Sequence, residues 1–269
     1  MNHYSNKVAT ALLQSLIEGP LLLKDLPEAE TFSHGALNLP ETQPSLIFEQ
    51  KLGHLYEDAL ATLLESSDQY DLITKSLQIR ENSGLTLGEL DFLVKDTQLD
   101  SLVHLELAVK FYLAIESDDH FLLPGPDARD NYFKKLEKMR SHQLPLTQKH
   151  AHLLPEQFQH KEITTQQLVY GCVFDHVNTK KSVTAEFLHP LGRRGKWLRM
   201  QECPHYFRSA TSFQIIPKIL WPVPFHLMKH IELEPWQPTD DITRCQMIKT
   251  NTSNYPYFIT PNDYPENSG

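Results

Sequence analysis

Cysteine is scarce in this sequence, and the positions of its three cysteines exclude two common structural supports. Cys172, Cys203 and Cys245 are far apart and include no CxxC pair. A disulfide framework and a structural zinc site both require paired or closely spaced cysteines. We therefore expect buried thiols that hold neither a bridge nor a metal.

Long apolar runs are missing as well. No stretch approaches the roughly 18 to 20 apolar residues that span a bilayer. Residues 1–20 lack both the basic start and the uninterrupted apolar stretch of a signal peptide. We therefore expect a cytoplasmic protein that has no membrane partner.

Positive charge is in deficit, with 25 Lys and Arg against 34 Asp and Glu and a formal net charge of -9. This balance argues against general adhesion to nucleic acid, which depends on phosphate neutralisation, although a local basic groove would be compatible with it. The 14 histidines show no HExxH motif and no repeated ligand spacing, which argues against a histidine-based metal site. The composition, 40% hydrophobic and 22% charged, is that of a folded globular protein.

The clearest structural pattern lies in residues 46–150. Apolar residues at three- and four-residue spacings predict an amphipathic helix over residues 47–65. Strands are predicted next at 70–80, 88–95 and 102–114, and the short turn-like segments between them favour an antiparallel meander. After a break at residues 124–126, Asp127 is expected to cap a second helix over residues 128–143.

The flanking regions are predicted less sharply. Residues 1–45 contain a helix over 6–18 and a long connection. Residues 151–269 are expected to form a mixed, strand-rich extension that packs on the 46–150 core. Its predicted strands lie at 168–177, 183–187, 196–200 and 213–220. The polar, acidic, proline-containing tail after Pro235 is expected to be irregular at its end.

Acidic residues stand inside two otherwise apolar predicted strands. Alternation in the third strand places Glu106 and Lys110 on one face, and Asp91 of the preceding strand can meet them if the two strands pair. Glu57 of the first helix can approach from the edge of its apolar stripe. Crowded carboxylates raise each other's pKa, and a divalent cation reverses this cost. Oxygen ligands favour Mg²⁺ or Mn²⁺ over zinc.

The order of an acid-bearing helix, a strand with Asp, a strand with Glu and Lys, and a helix resembles the PD-(D/E)XK nuclease superfamily. The segments LGELDFLV, HLELAVKFYL, RDNYFKKLEKMRSHQLPL, LHPLGRRGKWL and IIPKILWPVP are more closely similar to an uncharacterised bacterial family assigned to that fold. The resemblance implies an α/β, restriction-endonuclease-like core of a helix, a three-stranded meander and a helix. It also implies that Asp91 and Glu106 are metal ligands, that Lys110 orients water and that Glu57 is an auxiliary acid. Gln143 would support the cluster from the second helix.

One position departs from the superfamily motif. The acid usually stands two residues before the lysine, but Ala108 occupies that place here and the acid is Glu106. Two strand positions displace the carboxylate by about 6.6 Å, so a metal held by Asp91 and Glu106 would be shifted from Lys110.

These patterns leave two functions open. One is a Mg²⁺-dependent phosphodiester hydrolase that acts on DNA; the other is an inactive nuclease-fold protein that serves as a binding or scaffold module, with Asp91 and Lys110 as a structural ion pair. Glu57 could equally face solvent, and Gln143 could be a core hydrogen-bond partner. Two basic clusters could flank a nucleic-acid groove or be solvated faces; they contain Arg129, Lys134, Lys135 and Lys138, and Arg193, Arg194 and Lys196.

Overall fold

A mixed sheet of ten strands runs through the computed structural model, which describes residues 6–42, 45–117, 120–208, 212–238 and 242–266. The α-helices are α1 (Asn6–Glu18), α2 (Leu52–Glu65), α3 (Tyr132–Lys138), α4 (Leu146–Lys149) and α5 (Cys203–Tyr206). The strands are β1 (Glu30–Thr31), β2 (Tyr70–Arg80), β3 (Thr86–Asp96), β4 (Ser101–Ser117), β5 (His120–Leu122), β6 (Ile163–His176), β7 (Arg194–Arg199), β8 (Phe213–Ile216), β9 (Gln246–Thr250) and β10 (Tyr257–Thr260).

The sheet changes from antiparallel to parallel at its centre. Its strand order is β2-β3-β4-β6-β7-β10-β9-β8, while β1 pairs with β6 and β5 pairs with β4. Strands β2, β3 and β4 form the predicted antiparallel meander. Strands β4, β6, β7 and β10 are parallel, and β9 and β8 return antiparallel at the other edge. The fold is therefore mixed α/β, as the sequence predicts.

Helices cover both faces of β4, which explains why this strand is apolar on both sides. One face carries Leu105, Leu107 and Phe111 and belongs to the core formed with α1 and α2. The other face carries Tyr112 and Ala114 and packs against α3. The alternation of β4 thus sends Glu106 and Lys110 toward the α3 layer.

Both helices of the predicted core begin later than the sequence predicts. Helix α2 begins at Leu52 rather than at residue 47, because Lys51 is extended, with φ −63° and ψ 144°. Helix α3 begins at Tyr132, and its cap is Asn131 rather than Asp127: the Asn131 side chain accepts the N–H of Phe133. A single π-helical turn, Met139–Gln143, continues α3 to the predicted end.

The second half of the chain differs more from prediction. Residues 183–187 form no strand, and Phe187 has a positive φ of 63°. Strand β8 ends at Ile216, because Pro217 has no N–H to extend the ladder. The tail after Pro235 contains two strands that the sequence did not predict, β9 and β10, whose residues Met247, Ile248, Phe258 and Ile259 are fully buried. The sheet also crosses the expected boundary at residue 150, since β6 pairs with β4.

Gly171 allows β6 to approach β4 closely. It lies opposite Lys110 in the parallel register and has a φ of 150°. A Cβ added there would lie 1.7 Å from the carbonyl oxygen of Lys110. Only glycine fits this position.

In the part of the chain that the structure describes, no helix is long and apolar enough to cross a membrane. The three cysteines are free; Cys172 and Cys203 are buried and Cys245 is half-buried.

Candidate active site

The candidate site lies where β3 and β4 separate. Their regular pairing runs from Asp96 and Ser101 to Phe92 and Leu105 and then stops. Asp91, the next residue of β3, bridges the gap with its side chain: its Oδ2 accepts the backbone N–H of Leu107 at 2.9 Å. A carboxylate therefore replaces the ladder bond and is held beside Glu106.

Glu106 is the buried centre of a side-chain network. Its side chain is only 3% exposed, and its Oε1 is hydrogen bonded to Nε2 of fully buried His104 at 3.1 Å. Its Oε2 accepts from Nε2 of Gln143, in the π-helical turn, at 2.8 Å. Gln143 Oε1 in turn accepts from Lys135 Nζ at 2.7 Å. The network therefore joins β4 to α3 through hydrogen bonds that satisfy both oxygens of a buried acid.

Lys110 does not pair with Asp91. Its Nζ lies 2.6 Å from Oδ2 of Asp130, and the two side chains are about one-third exposed, at 30% and 32%. The predicted structural ion pair of Asp91 and Lys110 was therefore wrong. Asp91 bonds to Leu107, and Lys110 stands three positions, or about 10 Å, farther along the strand.

The electrostatics of Asp91 favour the neutral acid. Burial, reinforced by the charges of Glu106 and Glu57, raises the pKa of Asp91 to about 8, although the Leu107 N–H and the charge of Lys135 oppose the rise. Glu57, from α2, is 18% exposed and its Oε2 lies 3.2 Å from His54 Nδ1. It therefore contributes to the site through its charge, without a hydrogen bond to Asp91 among the described residues.

Lys135 belongs to this cluster rather than to an open basic face. Burial, with help from the charge of Lys110, lowers the pKa of Lys135, while Glu106, Asp91 and Asp130 oppose the change. Its amine lies among three acids and is held by Gln143.

The family model of a domain of unknown function, DUF1853, matches residues 6–254. The chain belongs to the DUF1853 family. This match confirms the predicted membership of an uncharacterised domain family, and it covers every residue of the candidate site. No curated protein and no solved structure matches this DUF1853 chain.

Sequence reasoning missed three members of the DUF1853 site. Asp130 precedes the cap of α3 and resembles an ordinary turn residue. His104 stands two positions before Glu106, so strand alternation could have placed the two side chains together. Lys135 was assigned to a nucleic-acid surface because its lysine and arginine neighbours in sequence suggested one.

The other predicted basic residues lie apart from the carboxylates. Arg129, Lys134 and Lys138 are exposed around α3. Arg193 Nη1 donates to the carbonyl of Trp221, and Arg194 Nη2 donates to that of Val183 at 3.0 Å. Lys196 is half-buried in β7.

Two carboxylates of the DUF1853 site, those of Asp91 and Glu106, are the groups that could hold a metal ion. Among the described residues, no group of three or more His, Cys, Asp or Glu side chains is arranged to hold a metal ion. Mg²⁺ commonly takes one or two carboxylates and keeps several waters. Asp91 and Glu106 supply that number, and Asp91 Oδ1 forms no hydrogen bond within the described ranges.

Proposed function

We propose that this DUF1853 protein is a metal-dependent phosphodiester hydrolase with a PD-(D/E)XK, restriction-endonuclease-like core, and that it acts on DNA. The observation that carries the proposal is the pair of carboxylates where β3 and β4 separate, in which Asp91 is hydrogen bonded at one oxygen only among the described residues. The element order α2, β2, β3, β4, α3 supports it, because the superfamily resemblance implies the same order. Buried acids without a cation are costly, so their juxtaposition favours a site for a divalent ion.

Asp91 and Glu106 would hold Mg²⁺ or Mn²⁺. The bound cation supplies a Lewis acid and lowers the pKa of a coordinated water. Glu57 adds negative charge at the edge of the pair, which favours cation entry. Gln143 and His104 orient the Glu106 carboxylate by hydrogen bonds, as outer partners of metal ligands commonly do.

Two lysines divide the role that one lysine has in the superfamily motif. Lys110 is fixed by Asp130 and would orient the attacking water. Lys135 is fixed by Gln143 and acts on the charge of Asp91, so it would stabilise negative charge that develops on a phosphate oxygen. A cavity of about 10 Å³ borders both lysines and has about the volume that one water requires. Lys135 would thus supply a positive charge near Glu106, which lies two strand positions farther from Lys110 than the superfamily motif has it.

DNA would lie against the exposed basic residues of the α3 region. A longer DNA segment would also reach the basic residues in and next to β7. Lys and Arg contacts to phosphates position a nucleic acid without reading its sequence. The residues concerned are Arg129, Lys134 and Lys138, and Arg193, Arg194 and Lys196.

A second candidate function is an inactive nuclease fold that serves as a binding or scaffold module. Closure of the polar network favours it: both oxygens of Glu106 are hydrogen bonded within the protein, and Lys110 is neutralised by Asp130. In this case the same side chains would join β4 to α3 and have no chemical role.

Nuclease assays on single- and double-stranded DNA and RNA, with Mg²⁺, Mn²⁺ or EDTA, test the hydrolase. We expect metal-dependent DNA cleavage that falls on the order of 100-fold in Asp91→Asn, Glu106→Gln and Lys135→Met. Lys110→Met tests the water-orienting role separately from Lys135→Met.

Asp100→Asn and Lys95→Gln are matched controls, because these residues form an exposed ion pair at the β3–β4 turn. Both controls should keep native activity. Cleavage that is unchanged in both Asp91→Asn and Lys110→Met would refute the assigned catalytic site. Absence of cleavage in the native chain under every condition would refute the hydrolase and favour the scaffold.

A further inference from the structure

A second cavity lies between the start of β7, the turn that precedes β10 and the 3₁₀ turn Phe225–Met228. Its volume is about 440 Å³, and its lining includes Arg193, Phe225, His226, Lys229 and Asn254. Ligand pockets for small molecules commonly have volumes of about 300 to 1,000 Å³. The cavity therefore has room for a ligand of about nucleotide size. It shares no lining residue with the carboxylate site.

The wall of this cavity is positively charged. Among the described residues, its lining contains two arginines, a lysine and a histidine but no Asp or Glu. Two cations also flank the ring of Phe225: Arg193 Cζ lies 6.0 Å and Lys249 Nζ 5.7 Å from its centroid. One lining residue has an acidic partner: Nε2 of exposed His226 lies 3.6 Å from Oε2 of Glu18. Within the described ranges, no acid forms an ion pair with Arg193, Lys229 or Lys249.

Arg193 is a half-buried cation that has no acidic ion-pair partner among the described residues. Its Nη1 donates to the Trp221 carbonyl, but its Nη2 is buried and has no hydrogen-bond partner in the described structure. Burial lowers the pKa of Arg193. A guanidinium nevertheless keeps its proton in proteins. A buried donor without a hydrogen-bond partner, such as this Nη2, is unfavourable. An anion in the adjoining cavity would supply the missing negative charge.

We propose that this cavity binds the phosphoryl group of a phosphate-bearing ligand. A phosphate matches the site better than a single carboxylate, because its several oxygens can accept from a guanidinium and an ammonium together. Arg193 and exposed Lys229, which both line the cavity, would supply the positive charge that faces the anion. Asn254 can donate an amide N–H to a neighbouring oxygen or to the rest of the ligand. The site shares Arg193 and Arg194 with the proposed DNA path, but phosphate binding here does not depend on hydrolysis at the carboxylates.

Isothermal titration of the full chain at 150 mM salt tests the site, with inorganic phosphate, pyrophosphate and a nucleoside monophosphate as probes. We expect saturable binding, with pyrophosphate tighter than phosphate. Paired oligonucleotides with a 5′-phosphate or a 5′-hydroxyl distinguish the sources of the phosphoryl group. Preference for the 5′-phosphorylated strand over the nucleoside monophosphate would assign the site to a nucleic-acid end; the reverse would assign it to a small molecule.

Lys229→Gln should weaken pyrophosphate binding by roughly tenfold to a hundredfold, the usual effect of losing a charged hydrogen bond. Lys229 is exposed, so this variant should fold even if Arg193→Gln does not. Lys161→Gln is the matched control, because Lys161 is far from the cavity. It precedes the first residue of β6, Ile163, whereas the cavity residue Arg194 pairs with Val173, roughly 33 Å farther along the same strand. Asp91→Asn should bind pyrophosphate as the native chain does.

Two results would overturn the proposal. One is the absence of saturable binding for every probe. The other is binding that Lys229→Gln and Lys161→Gln leave equally unchanged. Neither result bears on the carboxylate site, because activity in the Asp91→Asn variant is measured separately.

Discussion

Replacement of Asp91 by Asn should stabilise the protein in alkaline solution. The pKa of this acid is 3.8 in an exposed chain and about 8 in the folded protein. Between these values the folded state holds a proton that the unfolded state has released. The native chain therefore loses stability relative to the variant as pH rises from about 4 to 8. Asn remains neutral throughout and can still accept the Leu107 N–H.

The size of the effect follows from the pKa difference. A change from 3.8 to about 8 corresponds to an upper limit of about 6 kcal/mol. Interaction with Glu106 and local entry of water reduce this value, so we expect about 2 to 4 kcal/mol above pH 8. For a chain of this length, that corresponds to a rise in Tm of roughly 5 to 10 °C.

Calorimetric unfolding of both proteins at pH 5, 7 and 8.5 measures this difference. The gap between variant and native Tm should widen with each step. Asp100→Asn is the control, because the hydrogen bond from Lys95, together with its charge, lowers the pKa of Asp100 and the variant should gain nothing at high pH. A difference in Tm that is constant or shrinks toward pH 8.5 would show that the pKa of Asp91 is not raised in the folded protein. It would also remove the electrostatic basis of the cation site.

Three further outcomes are expected. Addition of 10 mM Mg²⁺ at pH 8.5 should raise the Tm of the native chain but not that of Asp91→Asn, since a ligand that binds only the folded state stabilises it; an equal rise in the Tm of both proteins would place the ion elsewhere. Gly171→Ala should cost more than about 4 kcal/mol in a denaturant titration, because the new Cβ would overlap the Lys110 carbonyl; Gly35→Ala, with no atom within 4 Å, is its control. Arg140→Gln should cost about 1 kcal/mol in the same titration, because it breaks a two-bond pair with Glu28 at 2.8 Å per bond; an unchanged midpoint would show that the pair contributes nothing.

The core of the fold could be predicted because its signals are local. The apolar stripe of α2 and the turn-like segments around β3 are short-range patterns, and the predicted bounds of β2 agree with the structure. Strand alternation also placed Glu106 and Lys110 on the face toward α3. Short strands were harder: β9 and β10 have five and four residues, too few to establish a period, and their burial depends on neighbours far away in sequence.

The candidate site could be predicted only in part for the same reason. The sequence was sufficient to predict the acids Asp91 and Glu106 and the strands that carry them, and Gln143 lies where the helical spacing indicated. The partners of these side chains could not be predicted. Lys110 pairs with Asp130, twenty positions away in sequence. Lys135 turns inward from a helix face whose lysine and arginine content resembled a solvated surface. Such contacts depend on the crossing of α3 over the sheet, which no local pattern specifies.

The bond between Asp91 and Leu107 also makes one backbone amide a spectroscopic reporter. Its proton points at a carboxylate oxygen rather than at a neighbouring strand's carbonyl. Its NMR resonance should therefore move when that carboxylate gains a proton or a cation, while amides within the regular β3–β4 ladder stay in place. A single peptide group, far from either chain end, would then record the charge state of Asp91 without a substrate.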